Sequence, residues 1–156
     1  KFDCAILAAL QADATLSISG LSEKVGLSST PCWKRVKRLE EEGYIESRVS
    51  IVNRNKVGLP VTVFVSVRTN EHDEKWLERF ASAVIALPEV LEFHRMSGDV
   101  DYLLKVVTTD IDGYDRFYKK LIKTAQLSGV SSAFSMEQIK CTTALPLELI
   151  SHGLPA

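Results

Sequence analysis

An α+β chain in two parts is what this sequence predicts: a small helical bundle with an extended wing, then a βαββαβ sandwich. Three observations carry that reading. Apolar residues recur at helical spacing as far as Gly43, they switch to a period of two at Val61, and from there strand and helix patterns follow in the order strand, helix, strand, strand, helix, strand.

Asp3 to Gln11 reads as the opening helix, with Ile6, Leu7 and Leu10 facing inward and Ala5, Ala8 and Ala9 supplying propensity. Ser17 or Ser19 begins a second helix carrying Leu21 and Val25. Gly26 can take the positive φ of a sharp turn, and Leu27 returns the chain to the core. Ser28 is expected to cap the next helix through its hydroxyl, with Pro31 early enough in the first turn to cost no hydrogen bond. From Ser29 to Glu42, Cys32, Val36 and Leu39 fall on one side. Thr30, Lys34, Lys37 and Arg38 fall on the other. Gly43 ends the helix, and Tyr44 to Val52 alternates like a short hairpin with weakly marked turn residues. Residues 1–52 therefore read as a winged helix-turn-helix, and 53–60, with Asn53, Gly58 and Pro60, as a linker.

Val61 to Thr69 alternates valine with Thr62, Phe64, Ser66 and Arg68, which predicts a strand. Asp73 to Leu87 has helical spacing in Trp76, Leu77, Phe80, Ala83 and Val84, and Pro88 stops it. Val90–Met96 and Tyr102–Thr108 are further strands joined by a turn at Gly98. Tyr114, Phe117, Tyr118, Leu121 and Ile122 mark a second helix. Val130 to Lys140 is extended, with a possible last strand at Thr142–Leu145. Right-handed crossovers fold this order into a ferredoxin-like antiparallel sheet with both helices on one face, over residues 61–156. The other face is left bare, with Phe64, Phe93 and Phe134 among the large groups on the strands. Covering it with a second copy predicts a homodimer.

Hydroxyls and cations on one exposed helical stripe, beyond a capped N-terminus, suit a duplex groove, so Ser28, Ser29, Thr30, Lys34, Lys37 and Arg38 are the expected DNA contacts. Arg35 flanks the buried stripe and is read equally as an ion pair or a phosphate contact, and Trp33 as a packing residue. The formal charge of −1 is unevenly spread: residues through Gly58 carry nine Lys and Arg against seven Asp and Glu, the remainder ten against thirteen. Cys4, Cys32 and Cys141 are odd in number and scattered, which indicates neither a disulfide framework nor a zinc site and fits a reducing cytoplasm best. His72, His94 and His152 are equally dispersed, so no metal or cofactor is expected. No run is long enough for a membrane span, and the N-terminus lacks the build of a signal peptide. The chain begins at Lys1 without Met, so a few residues are expected before it.

Four blocks in order resemble the Lrp/AsnC family of bacterial and archaeal transcription regulators, the feast/famine proteins. They are Asp3 with the following AILAALQ, LSEKVGLSSTPCWKRVKRLEEEGYI, Gly98-Asp99-Val100-Asp101-Tyr102-Leu103-Leu104-Lys105, and Ser135-Met136-Glu137-Gln138-Ile139-Lys140 with TTALPL. The resemblance spans essentially the whole chain. It implies a DNA reader followed by a domain that senses an amino acid, assembled as dimers that associate into octamers; two reading helices a turn apart in the expected dimer match a pseudo-palindromic operator. The resemblance also implies an effector site between subunits, at Gly98, Asp99 and Asp101 with Ser131 and Ser132. Chemically, Gly98 lets backbone approach a ligand and the two carboxylates can accept from an α-ammonium, although an Asx turn joining two strands explains Asp99 and Asp101 as well. The rival is an enzyme, since tetrapyrrole (sirohaem) decarboxylases resemble the same architecture. Adjacent His94 and Arg95 on a strand face opposite sides, which counts against it.

Overall fold

The computed structural model describes residues 1–150 and 154 of the 156; His152 lies outside them. The chain forms two compact units, Lys1–Ile51 together with the residues from Lys140 onward, and Val52–Ile139.

The first unit holds α1 (Phe2–Ala12), α2 (Ile18–Val25) and α3 (Ser29–Glu41). Ile6, Leu21, Cys32, Val36 and Leu39 are buried where the helices meet, and each large apolar side chain so enclosed stabilises by about 1.5–3 kcal/mol. Ser17 caps α2, its hydroxyl accepting from the Gly20 amide at 3.1 Å. Gly26 ends the helix at φ +71°, and the Leu27 amide returns to the Ser22 carbonyl at 2.9 Å. Ser28 occupies the cap position of α3, yet its hydroxyl makes no capping bond. Pro31 removes one of the amides that a cap side chain ordinarily accepts from. The Ser29 hydroxyl lies instead 3.4 Å from that of Ser22.

After Gly43, at φ +79°, the segment expected to be the wing forms no strand and pairs with none among the described residues. No Asn-Gly type of turn folds the segment back, so it has no second strand of its own. The expected single domain from 61 to 156 also differs at its end. Residues from Lys140 join the first unit: the Gln11 carboxamide accepts from the Leu145 amide at 2.7 Å and donates to the Leu145 carbonyl at 3.2 Å, and Leu147 packs on the helical core. The amide and carbonyl of Leu145 are thereby engaged, the Ala144 amide donates to the Thr142 hydroxyl at 3.1 Å, and the strand expected at Thr142–Leu145 does not form.

The second unit runs β1 (Val61–Arg68), α4 (Glu74–Ile85), β2 (Val90–Arg95), β3 (Tyr102–Thr108), α5 (Ile111–Thr124) and β4 (Gly129–Phe134), with sheet order β2-β3-β1-β4. All neighbouring strands are antiparallel, as the alternating pattern predicts. Val63, Val65 and Val67 stand opposite Val106, Leu104 and Tyr102 and form the core with Trp76, Phe80, Val84, Phe117 and Leu121 of the two helices. Asp73 and Asp110 cap α4 and α5, accepting from the Trp76 amide at 2.8 Å and the Gly113 amide at 2.6 Å.

The other sheet face carries Thr62, Phe64 and Ser66 beside Leu103, Lys105 and Val107, flanked by Glu92, His94, Ser131 and Ala133; Thr62 and Val107, paired at one end of it, are buried. Of the three phenylalanines expected among its large groups only Phe64, 40% exposed, belongs to it. Phe93 stands opposite Leu104 with its ring edge-on to Phe80, and Phe134 stands opposite Val63 edge-on to Tyr114. The register turns both toward the helices.

Candidate nucleic-acid interface and effector loop

On α3 the buried Cys32, Val36 and Leu39 fix which side faces out, and Thr30, Lys34 and Lys37 are exposed on it. Neither lysine has an ion-pair partner among the described residues. The amides of Ser29 and Thr30, in the first turn, have no protein acceptor among them either. Cations beside open helix-terminal amides form a surface that anionic oxygens can occupy.

Arg38 differs from its neighbours. Its guanidinium donates to Asp3 at 2.6 Å and lies 3.9 Å from Glu42. Arg35 donates to the same aspartate at 2.9 Å and sits 5.7 Å from the centre of the Phe2 ring, which decides its open reading in favour of an ion pair. Partial burial would raise the Asp3 carboxyl, but the hydrogen bond from Arg35 and the charges of Arg38 and Arg35 hold it below its ordinary value. The two arginines thereby tie α3 to α1. Trp33, expected to pack, is 49% exposed on the outer side of α3.

The β2–β3 turn carries Gly98 at φ +108° and an exposed Asp99. Asp101 is engaged within the fold: its carboxylate accepts from the Thr69 amide at 2.8 Å, its own amide donates to Val67 at 3.0 Å and its carbonyl accepts from Met96 at 2.8 Å. These bonds fasten the turn to the end of β1, close to the turn role weighed for the sequence. Ser131 and Ser132, expected to act together, point to opposite faces. Ser132 hydrogen-bonds the Tyr114 hydroxyl on the helix side, where burial pushes the Tyr114 phenol up; Ser131 lies on the open face opposite Ser66. Strand β1 separates β3 from β4, so one subunit does not bring the turn and Ser131 onto neighbouring strands. His94 and Arg95 do face opposite sides, with His94 3.1 Å from Glu92. Among the described residues there is no cluster suited to a metal ion, and no helix is long and apolar enough to cross a membrane.

Comparison with known proteins agrees with both units. Residues 1–46 match a winged helix-turn-helix DNA-binding family and residues 62–145 the Lrp/AsnC ligand binding domain. The chain is 49% identical over 146 residues to the glutamate uptake regulatory protein of Zymomonas mobilis, covering 94% of this chain and 89% of that protein. It is 48% identical over 149 residues to the DNA-binding transcriptional activator DecR of Escherichia coli, covering 95% and 98%. An AsnC family transcriptional regulator from Agrobacterium tumefaciens superposes with a TM-score of 0.93 at 54% identity, over 96% of this chain and 98% of that one. A transcriptional regulator from Neisseria meningitidis, in complex with L-Met, gives 0.92 at 33%, over 96% and 97%. With an exposed basic helix on one unit and a matched ligand-binding domain on the other, this chain belongs to the Lrp/AsnC family of DNA-binding transcriptional regulators.

Proposed function

We propose that the chain binds a pseudo-palindromic operator as a homodimer, in the cytoplasm, and that a free amino acid sets its affinity for that DNA. Lys34 and Lys37, without ion-pair partners among the described residues and beside the open first turn of α3, are the observation that carries the DNA contact, with Ser28, Ser29 and Thr30 at the phosphates. Arg38 belongs to the clamp with Asp3 and contributes by holding α3 in place. The amino-acid effector is supported by the L-Met complex of the Neisseria relative and by the glutamate-linked role of the Zymomonas one. Its site between copies uses Gly98, Asp99 and Ser131, while Asp101 and Ser132 act as supports. Effector and DNA are then linked reciprocally, each changing the other's affinity by the same factor.

Replacing Lys34 and Lys37 with Ala tests the reading. Operator affinity falls, and the slope of log K against log salt flattens by about one unit for each phosphate no longer neutralised. An unchanged slope removes this face from the interface. Asp99→Ala is expected to weaken the amino-acid response while leaving operator binding intact.

A further inference from the structure

Where the loop after β1 meets the end of α5, Glu71, Trp76, Arg79, Thr124, Ala125 and Gln126 line a cleft of about 240 Å³. Glu71 and Gln126 also line a second, of about 180 Å³, whose other walls are Asn70, Leu127 and Ser128. Glu71 and Arg79 carry opposite charges in one cleft, yet they form no ion pair with each other or with any other described residue. Arg79 donates through Nε to the Lys75 carbonyl at 3.3 Å, which leaves the two terminal nitrogens of its guanidinium unused. Glu71 uses only backbone atoms, on the Thr69 hydroxyl. Trp76, 4% exposed, has an indole N–H closed from solvent with no acceptor among the described residues.

Unlike charges that border one cavity without meeting are complementary to a molecule that carries both signs. We propose that this cleft binds the zwitterionic end of a free α-amino acid, its carboxylate on Arg79 and its ammonium on Glu71. The guanidinium offers two parallel donors to a carboxylate. Trp76 lies three residues before Arg79 on α4 and lines the same cleft, so its indole reports on a ligand seated there. The effector side chain extends into the second cleft, where Leu127, Asn70 and Ser128 suit an uncharged group of moderate length. The cleft lies within one subunit and shares no residue with Gly98, Asp99 or Ser131. The inference rests on the reading of the chain as an amino-acid-responsive regulator and adds a site that does not need assembly.

The experiment titrates the full chain with each standard L-amino acid, following the melting temperature and, in a Trp33→Phe background where Trp76 is the remaining indole, its emission. At least one amino acid raises the melting temperature and shifts Trp76 emission, whereas its decarboxylated amine and its N-acetyl derivative do not. Arg79→Ala and Glu71→Gln, both at exposed positions, each weaken that binding about tenfold or more, and Asp99→Ala leaves the emission change in place. Undiminished binding in both Arg79→Ala and Glu71→Gln, or an emission change abolished in Asp99→Ala, overturns this site alone and leaves the effector between copies standing. Absence of binding by any amino acid up to about 10 mM overturns this site together with the effector reading above.

Discussion

Asp3 sets the position of the reading helix through a single carboxylate shared by Arg35 and Arg38. Its folded carboxyl is held below the ordinary 3.8, so the clamp stabilises fully above the unfolded value and is lost as pH falls through the folded one. Asp3→Asn should therefore lower the melting temperature at neutral pH, and the gap to the parent chain should close in acid; a gap independent of pH would contradict it. Arg38→Ala should likewise act on stability more than on the salt slope of DNA binding, unlike Lys34→Ala. Spacing on a helical wheel made Lys34, Lys37 and Arg38 look alike, because a wheel shows where a side chain points and not what it meets. The partner that separates Arg38 from the lysines lies 35 residues away in sequence. The same limit applies to the cleft between Glu71 and Arg79, which exists only once a loop and the end of a distant helix come together.

Helices and strands were legible because their periods are intrinsic to the backbone, and the nine α-helices and strands of the described residues fall where the apolar spacing places them, except that β4 ends at Phe134 where the extended pattern runs on to Lys140. What periodicity does not carry is register. Ser131 and Ser132, and likewise Phe93 and Phe134, acquire a side only through the pairing of β4 with β1 and of β2 with β3. The wing illustrates the same point, since an alternating segment does not contain its own partner. One element depends on a glycine that no motif marks: a Cβ at Gly113 would lie closer to the Thr108 hydroxyl than real Cβ atoms approach, and close to that of Thr109. Gly113→Ala should push apart the start of α5 and its Asp110 cap, destabilising the second unit by about 1–3 kcal/mol in a denaturant titration. No change in the unfolding midpoint would show that the turn relaxes freely.

For the whole molecule, the half-exposed Phe64 at the centre of an open sheet is the best handle on assembly. Phe64 stands opposite Lys105, so an acidic replacement would gain a partner while Phe64→Lys places like charges side by side. Phe64→Lys should shift the chain toward monomer in sedimentation, and Ile111→Lys, on an exposed position of α5, should not. A dimer unaffected by Phe64→Lys would place the interface elsewhere.

Gln11 and Leu145, joined by two hydrogen bonds, lie 134 residues apart. The helical unit thus takes two of its hydrogen bonds from a segment translated after the entire sheet domain. On the ribosome the three helices emerge before the sheet domain and Leu145 after it, so these two hydrogen bonds form only once the sheet domain has been made.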